Sequence, residues 1–175
     1  MSDWRIRTEQ PEDFPGIAAV VVDAFSPKHG PEVAALVERI RASEHYLPEL
    51  ALLAEDESGV IGHVMLSWAG LEGGTRDRIL MLSPMSVRTD RQRSGVGTSL
   101  IEDVLGRAEA MGEPAVMLEG IPGYYPRFGF ELASALGFQS PREGIPDEAF
   151  MVKRLPGYEP GLAGLIVYPS TFDGV

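Results

Sequence analysis

Apolar positions recur at helical spacing in two early stretches of the chain. Between Asp13 and Phe25 they fall at 14, 17, 18, 21 and 25, which predicts an amphipathic helix with Asp13 as its N-cap. A second helix follows "SPKHG": Val33, Leu36, Val37 and Ile40 make one stripe, and Pro31 stands near its start, where a missing N–H costs nothing. The period then changes. "ELALLAEDE" and "VIGHVMLSWAGL" read as two strands of a hairpin that turns at Ser58 and Gly59. After the polar loop "EGGTRD", "RILMLSPMSV" reads as a mostly buried strand interrupted by Pro84. From Gly97 to Met111 the apolar positions 100, 101, 104, 105, 108 and 111 predict a helix that Gly112 ends. "PAVMLEG" is a further buried strand, and "PGYYPRF" a short turn or helix. In the last third, "ELASALGF", "AFMVKRLPGY" and "GLIVYPSTF" are each candidate strands among scattered Pro and Gly. Strand, loop, helix, strand in the middle implies a parallel pair with a crossover helix, inside a mixed sheet whose earlier strands are hairpins.

The 175 residues fit one domain spanning 1–175, without repeats, low-complexity tracts or an interdomain linker. A formal net charge of −11 disfavours attraction to nucleic acid or an anionic membrane and favours cationic substrates. Cysteine is absent, which excludes disulfides, thiolate metal sites and a cysteine nucleophile. No apolar run reaches the roughly 18 residues of a membrane span, and "MSDWRIRTEQ" lacks a signal peptide's apolar core, so a cytoplasmic location is expected. His29 and His45 have no metal-ligand spacing and read as surface residues; His63, inside an alternating strand, reads as a satisfied core or cleft histidine. No metal is expected.

The segment "VRTDRQRSGVGTSLI" carries the chemistry. It lies between a strand and a helix N-terminus, where backbone N–H groups lack intrahelical partners and the macrodipole leaves partial positive charge. Gly95 and Gly97 clear side chains from those amides and permit the angles of an anion nest. Arg93, with Arg91 as a second candidate, and the hydroxyl of Thr98 or Ser99 can add hydrogen bonds, so the loop suits a pyrophosphate. A dinucleotide fingerprint would need a third glycine, and a Walker loop a Gly-Lys-Ser/Thr; neither is present.

Gln92-Arg93-Ser94-Gly95-Val96-Gly97 resembles the Q/R-x-x-G-x-G/A signature of the GNAT superfamily of N-acetyltransferases. "VIGHVMLS" is similar to that family's third strand, "LSPMSV" to its bulged fourth, "YYPRFGF" to the aromatic segment after its fifth, and "IRTEQPEDFPGIAAVVVDAF" to its opening strand and helix. The likeness covers about residues 4–130, the cofactor-binding core, and is nearest to a bacterial branch of predicted acetyltransferases. It implies an α/β (α+β) fold: a mixed, mostly antiparallel sheet with one splayed parallel strand pair, flanked by helices.

It also implies a cofactor, acetyl-CoA. Its pyrophosphate would lie on Gln92, Arg93, Ser94, Gly95, Val96, Gly97 and Thr98, and its amide-rich arm against main-chain groups of Met85, Ser86 and Val87 freed by Pro84. Tyr124 and Phe128 either touch that arm or fill the core. Tyr125 stands where the family places a general acid for the departing thiolate; the alternative is a buried tyrosine satisfying a carbonyl. The Val87 N–H is the expected oxyanion donor. Glu119 is the candidate base, with a water chain as the alternative. Without cysteine, direct attack in a ternary complex is expected. The acceptor, a small-molecule or protein amine, would sit among the first two helices, "FSPKHG" and the strands of 131–175. "LAGLIVYPSTF" completes the sheet or pairs a homodimer. A catalytically silent acyl-CoA-binding regulatory module and a nucleotide-binding α/β protein are the competing readings.

Overall fold

The computed structural model describes residues 3–175; Met1 and Ser2 of the polar opening segment lie outside them. Eight strands, β1 (Arg5–Thr8), β2 (Tyr46–Asp56), β3 (Gly59–Glu72), β4 (Arg78–Val87), β5 (Ala115–Glu119), β6 (Phe130–Leu132), β7 (Phe150–Arg154) and β8 (Leu165–Val167), form one sheet. Its order is β1-β2-β3-β4-β5-β7-β6, with β8 on β3, and only β4 and β5 run parallel. The helices are α1 (Phe14–Ala24), α2 (Gly30–Arg41) and α3 (Val96–Ala110), the last being the crossover from β4 to β5. Leu100 and Val104 of α3 pack with Val64, Leu66 and Leu80 on one sheet face; Leu36, Val37 and Ile40 of α2 pack with Met65, Ala69 and Met117 on the other. Covered on both faces, β5 reads as a continuous apolar run. Among the described residues no helix is long and apolar enough to cross a membrane.

Local chemistry moves several expected boundaries. Asp13 precedes α1 but does not cap it: its carboxylate accepts from the Gln10 N–H at 2.8 Å and from Arg7 at 2.7 and 2.8 Å, closing a box around the short 3-10 turn Pro11–Asp13. The hairpin turns on Glu57 and Ser58 rather than Ser58 and Gly59, because Asp56 takes the Ser58 N–H at 2.7 Å and Gly59, at φ 106°, already belongs to β3. "ELASALGF" is strand only at its first two residues, the end of β6, then a 3-10 turn at Ser134–Leu136 ended by Gly137 at φ 85°. "AFMVKRLPGY" pairs only through Arg154, and in "GLIVYPSTF" the strand stops at Val167, two residues before Pro169.

The distortion that positions the site is in β4. Val64 pairs with Met85 and Leu66 with Leu82, so Ser83 and Pro84 together oppose Met65. That extra residue is a bulge, and Pro84 has no N–H for a ladder. It also reverses which residues face which way: Met81 packs toward α2, whereas Met85 packs with the α3-side core. Parallel pairing with β5 holds only at Leu80–Val116 and Met81–Met117. Beyond Met81 the two strands part.

Candidate active site

The parting strands open a cleft of about 1090 Å³ that runs from the start of α3, along β4, to the end of β5. Met85, Ser86, Val87, Gln92, Arg93, Gly95, Gly97, Thr98, Glu119, Tyr124 and Tyr125 line it. The side chains of Ser94, Val96 and Phe128 do not: Ser94 bonds the Arg91 carbonyl, Val96 is buried in the core, and Phe128 packs against Tyr124 at 5.5 Å.

At the α3 end, Arg93 (φ 61°) and Gly95 (φ 97°) are both left-handed and lead into the start of the helix, whose first amides lack intrahelical partners and border the cleft that Gly95, Gly97 and Thr98 line. A Cβ on Gly97 would lie 2.9 Å from the Tyr124 hydroxyl, so a side chain here would crowd this wall of the cleft. Arg91 is engaged elsewhere, in an ion pair with Asp56, and Arg88 pairs with Asp90 at 2.6 Å. Arg93 lines the cleft without an ion pair among the described residues. The loop itself is pinned. Asp23 of α1 accepts from the Thr89 N–H at 2.7 Å, and Gln92 Nε2 donates to the Val87 carbonyl at 3.1 Å.

Strand alternation decides which β4 groups are free. Arg88 donates its N–H to Ile61 at 2.9 Å, toward β3, so Ser86 also points its N–H and C=O at β3 while Met85 and Val87 point theirs into the cleft. The expectation that all three residues are free is corrected at Ser86, whose main chain belongs to the ladder. Gln92 occupies the Val87 carbonyl, leaving the Val87 N–H.

Tyr125 opens a 3-10 turn, its ring against Gly120 and 5.1 Å from Tyr124 and 5.9 Å from Phe130. Burial, reinforced by Tyr124, pushes its pKa up to about 12, so it is a protonated phenol at neutral pH. Among the described residues its hydroxyl satisfies no carbonyl, and the residue lines the cleft. Glu119 is exposed at the C-terminal end of β5 and accepts from the Tyr168 hydroxyl at 2.9 Å. Burial first, then the Glu119 charge, raises the Tyr168 pKa, so the phenol is the donor. Nothing in the sequence signals this pair, which joins residues 49 apart.

Among the described residues no group of three or more His, Cys, Asp or Glu side chains is placed to ligate a metal. His29 is exposed beside Glu32, and His45 is half-buried rather than on the surface. His63 is a core residue. Its Nε2 lies 2.8 Å from Glu9, which also accepts from Arg41 at 2.8 and 2.9 Å and from the Tyr46 hydroxyl at 2.8 Å. Burial would raise the Glu9 pKa, but the hydrogen bonds from Arg41 and His63 outweigh it and hold it at about 2. This network fastens α2 to the sheet behind Ser86, where the sequence showed only isolated polar residues.

Comparison with known proteins agrees with this geometry. A model of the acetyltransferase (GNAT) domain matches residues 5–133. The N-acetyltransferase YhbS of Escherichia coli K12 is 33% identical over 170 residues, 96% of this chain and 98% of its own. YjhQ of the same organism is 34% identical over 115 residues, 65% of this chain and 63% of its own. The crystal structure of E. coli YhbS in complex with CoA superposes with a TM-score of 0.87 at 30% identity, over 99% of this chain and 93% of that one. A GNAT family acetyltransferase from Brucella melitensis in complex with acetyl-CoA gives 0.78 at 28% identity, over 97% and 98%. Matched along nearly its whole length in sequence and in fold, the chain belongs to the GNAT family of N-acetyltransferases.

Proposed function

We propose that the protein transfers an acetyl group from acetyl-CoA to a primary amine by direct attack in a ternary complex. One observation carries the reading: a single groove runs from Gly95 and Gly97 at the start of α3, past the free edge of β4, to Tyr125. Its chemistry fits the cofactor in sequence. Helix amides and Arg93 suit a diphosphate, and the free main-chain N–H and C=O of Met85 suit an amide-bearing arm. The relatives crystallised with CoA and acetyl-CoA support the same assignment.

Bound acetyl-CoA supplies a thioester carbonyl. The amine lone pair forms the C–N bond, and the Val87 N–H donates to the oxygen that gains charge. Collapse breaks the C–S bond, and Tyr125 delivers a proton to the departing sulfur. Glu119, or water beside it, takes the proton that the amine loses; this balances the one that Tyr125 gives up.

Acetyl-CoA is expected to raise the melting temperature, with about 2.7 kcal/mol of stabilisation at a hundredfold excess over Kd. Gly97→Val, which drives a side chain toward Tyr124, is expected to remove the shift. No shift in wild type at millimolar acetyl-CoA rejects the reading. A shift without CoA release against a broad amine panel would instead favour a silent acyl-CoA-binding module.

A further inference from the structure

Beyond the cofactor groove lies a smaller cavity of about 190 Å³, formed where α2, the β4 bulge and the end of β5 meet the C-terminal segment. Leu36, Met81 and Phe172 give it apolar walls, while Glu119, Tyr168 and Arg142 supply its polar groups. Leu36, Leu82, Ser83 and Glu119 also line the main cleft, so the two spaces communicate beside Glu119. The matched family model ends at residue 133; Arg142, Tyr168 and Phe172 all lie beyond it. The chamber is thus closed by the C-terminal segment against walls that α2, β4 and β5 supply.

The carboxylate at the junction is not left to rotate. Tyr168 donates to Glu119 Oε2 at 2.9 Å, which fixes one oxygen and leaves Oε1 for a ligand. Tyr168 is itself held, its ring 5.8 Å from Phe172 and the Arg142 guanidinium 5.0 Å over it. Arg142 donates to main-chain oxygens of Phe172 and Val175 at 3.4 and 3.0 Å. The chamber thus offers one anion at its mouth, apolar walls within, and a cation at its edge. A second positive charge on a ligand would be desolvated against apolar side chains and face Arg142.

We propose that this chamber is the acceptor subsite, that it takes a primary amine carried on an apolar body without a second positive charge, and that Tyr168 positions Glu119 for that amine. The inference rests on the acetyltransferase reading and narrows its substrate class. It runs against the net charge of −11, which favours polycations at long range. The chamber selects what the field collects.

The test is acceptor affinity on the CoA-bound protein, measured by calorimetry, with an alkyl monoamine and the diamine of the same chain length as probes. Acetyl-CoA binding is measured separately. The monoamine is expected to bind at least tenfold more tightly than the diamine. Tyr168→Phe is expected to weaken monoamine binding about tenfold in wild type and less than twofold in a Glu119→Gln background, the non-additivity of a residue acting through another. Arg142→Gln is expected to narrow the gap between the probes, and Arg142→Lys to restore it. Equal or tighter binding of the diamine overturns the substrate class, and independent losses from Tyr168→Phe and Glu119→Gln overturn the positioning role. If acetyl-CoA binds but neither amine does, this subsite falls and the cofactor reading stands. If acetyl-CoA does not bind, both fall.

Discussion

Two tyrosines and a buried carboxylate show what a single side chain does here and how it can be read. Tyr125 could be singled out in the sequence because the family resemblance marks its position, four residues before Gly129. Tyr168 and Glu9 could not, because their meaning comes from partners 49 and 54 residues away, Glu119 and His63. Tyr125→Phe removes the proposed proton donor and little volume, so kcat is expected to fall roughly 10²-fold in a CoA-release assay while acetyl-CoA affinity stays within a factor of about two. Glu9→Ala removes the buried partner that Arg41 shares with His63 and leaves Arg41 only its pair with the exposed Glu38, and chemical denaturation should show a loss of about 3 kcal/mol. The Glu9 pKa is depressed to about 2, so its contribution is present above the unfolded carboxylate range and is lost as pH falls through that range toward 2. In Glu9→Gln, the acid limb of the melting-temperature profile should therefore flatten below about pH 4.5. An unchanged limb would show that the network carries no pH-dependent stability.

Among the elements, long helices and the β2–β3 hairpin followed from periodicity, and their cores sit where the apolar stripes placed them. The C-terminal third did not follow. Its strands are three to five residues long and are defined by the neighbours they pair with, not by their own pattern. The β4 bulge lies between these cases: Pro84 announced a break, but only the register shows that the break adds one residue and turns Met85 toward α3. Because side chains alternate with period two, deleting Ser83 should push Met85 and Val87 to the opposite face. Such a variant is expected to lose acetyl-CoA binding, measured by calorimetry, while retaining the cooperative melting of a folded sheet. Wild-type affinity in the deletion variant would mean that the bulge does not shape the groove.

Over the whole molecule, the sheet divides the labour. The α3 face and the splayed edge hold the features matched along residues 5–133, while α2 and the C-terminal segment close the other end with Tyr168 and Arg142. The acidic surface makes encounter with a cationic amine sensitive to ionic strength, so kcat/KM should fall as salt rises from 0.05 to 0.5 M. The most direct measurement is backbone hydrogen exchange with and without CoA. Protection is expected at the amides of 96–98 and at Met85 and Val87, with Ser86 already protected in the free protein. Exchange at the start of α3 that CoA leaves unaltered, or protection confined to other surfaces, would contradict the account.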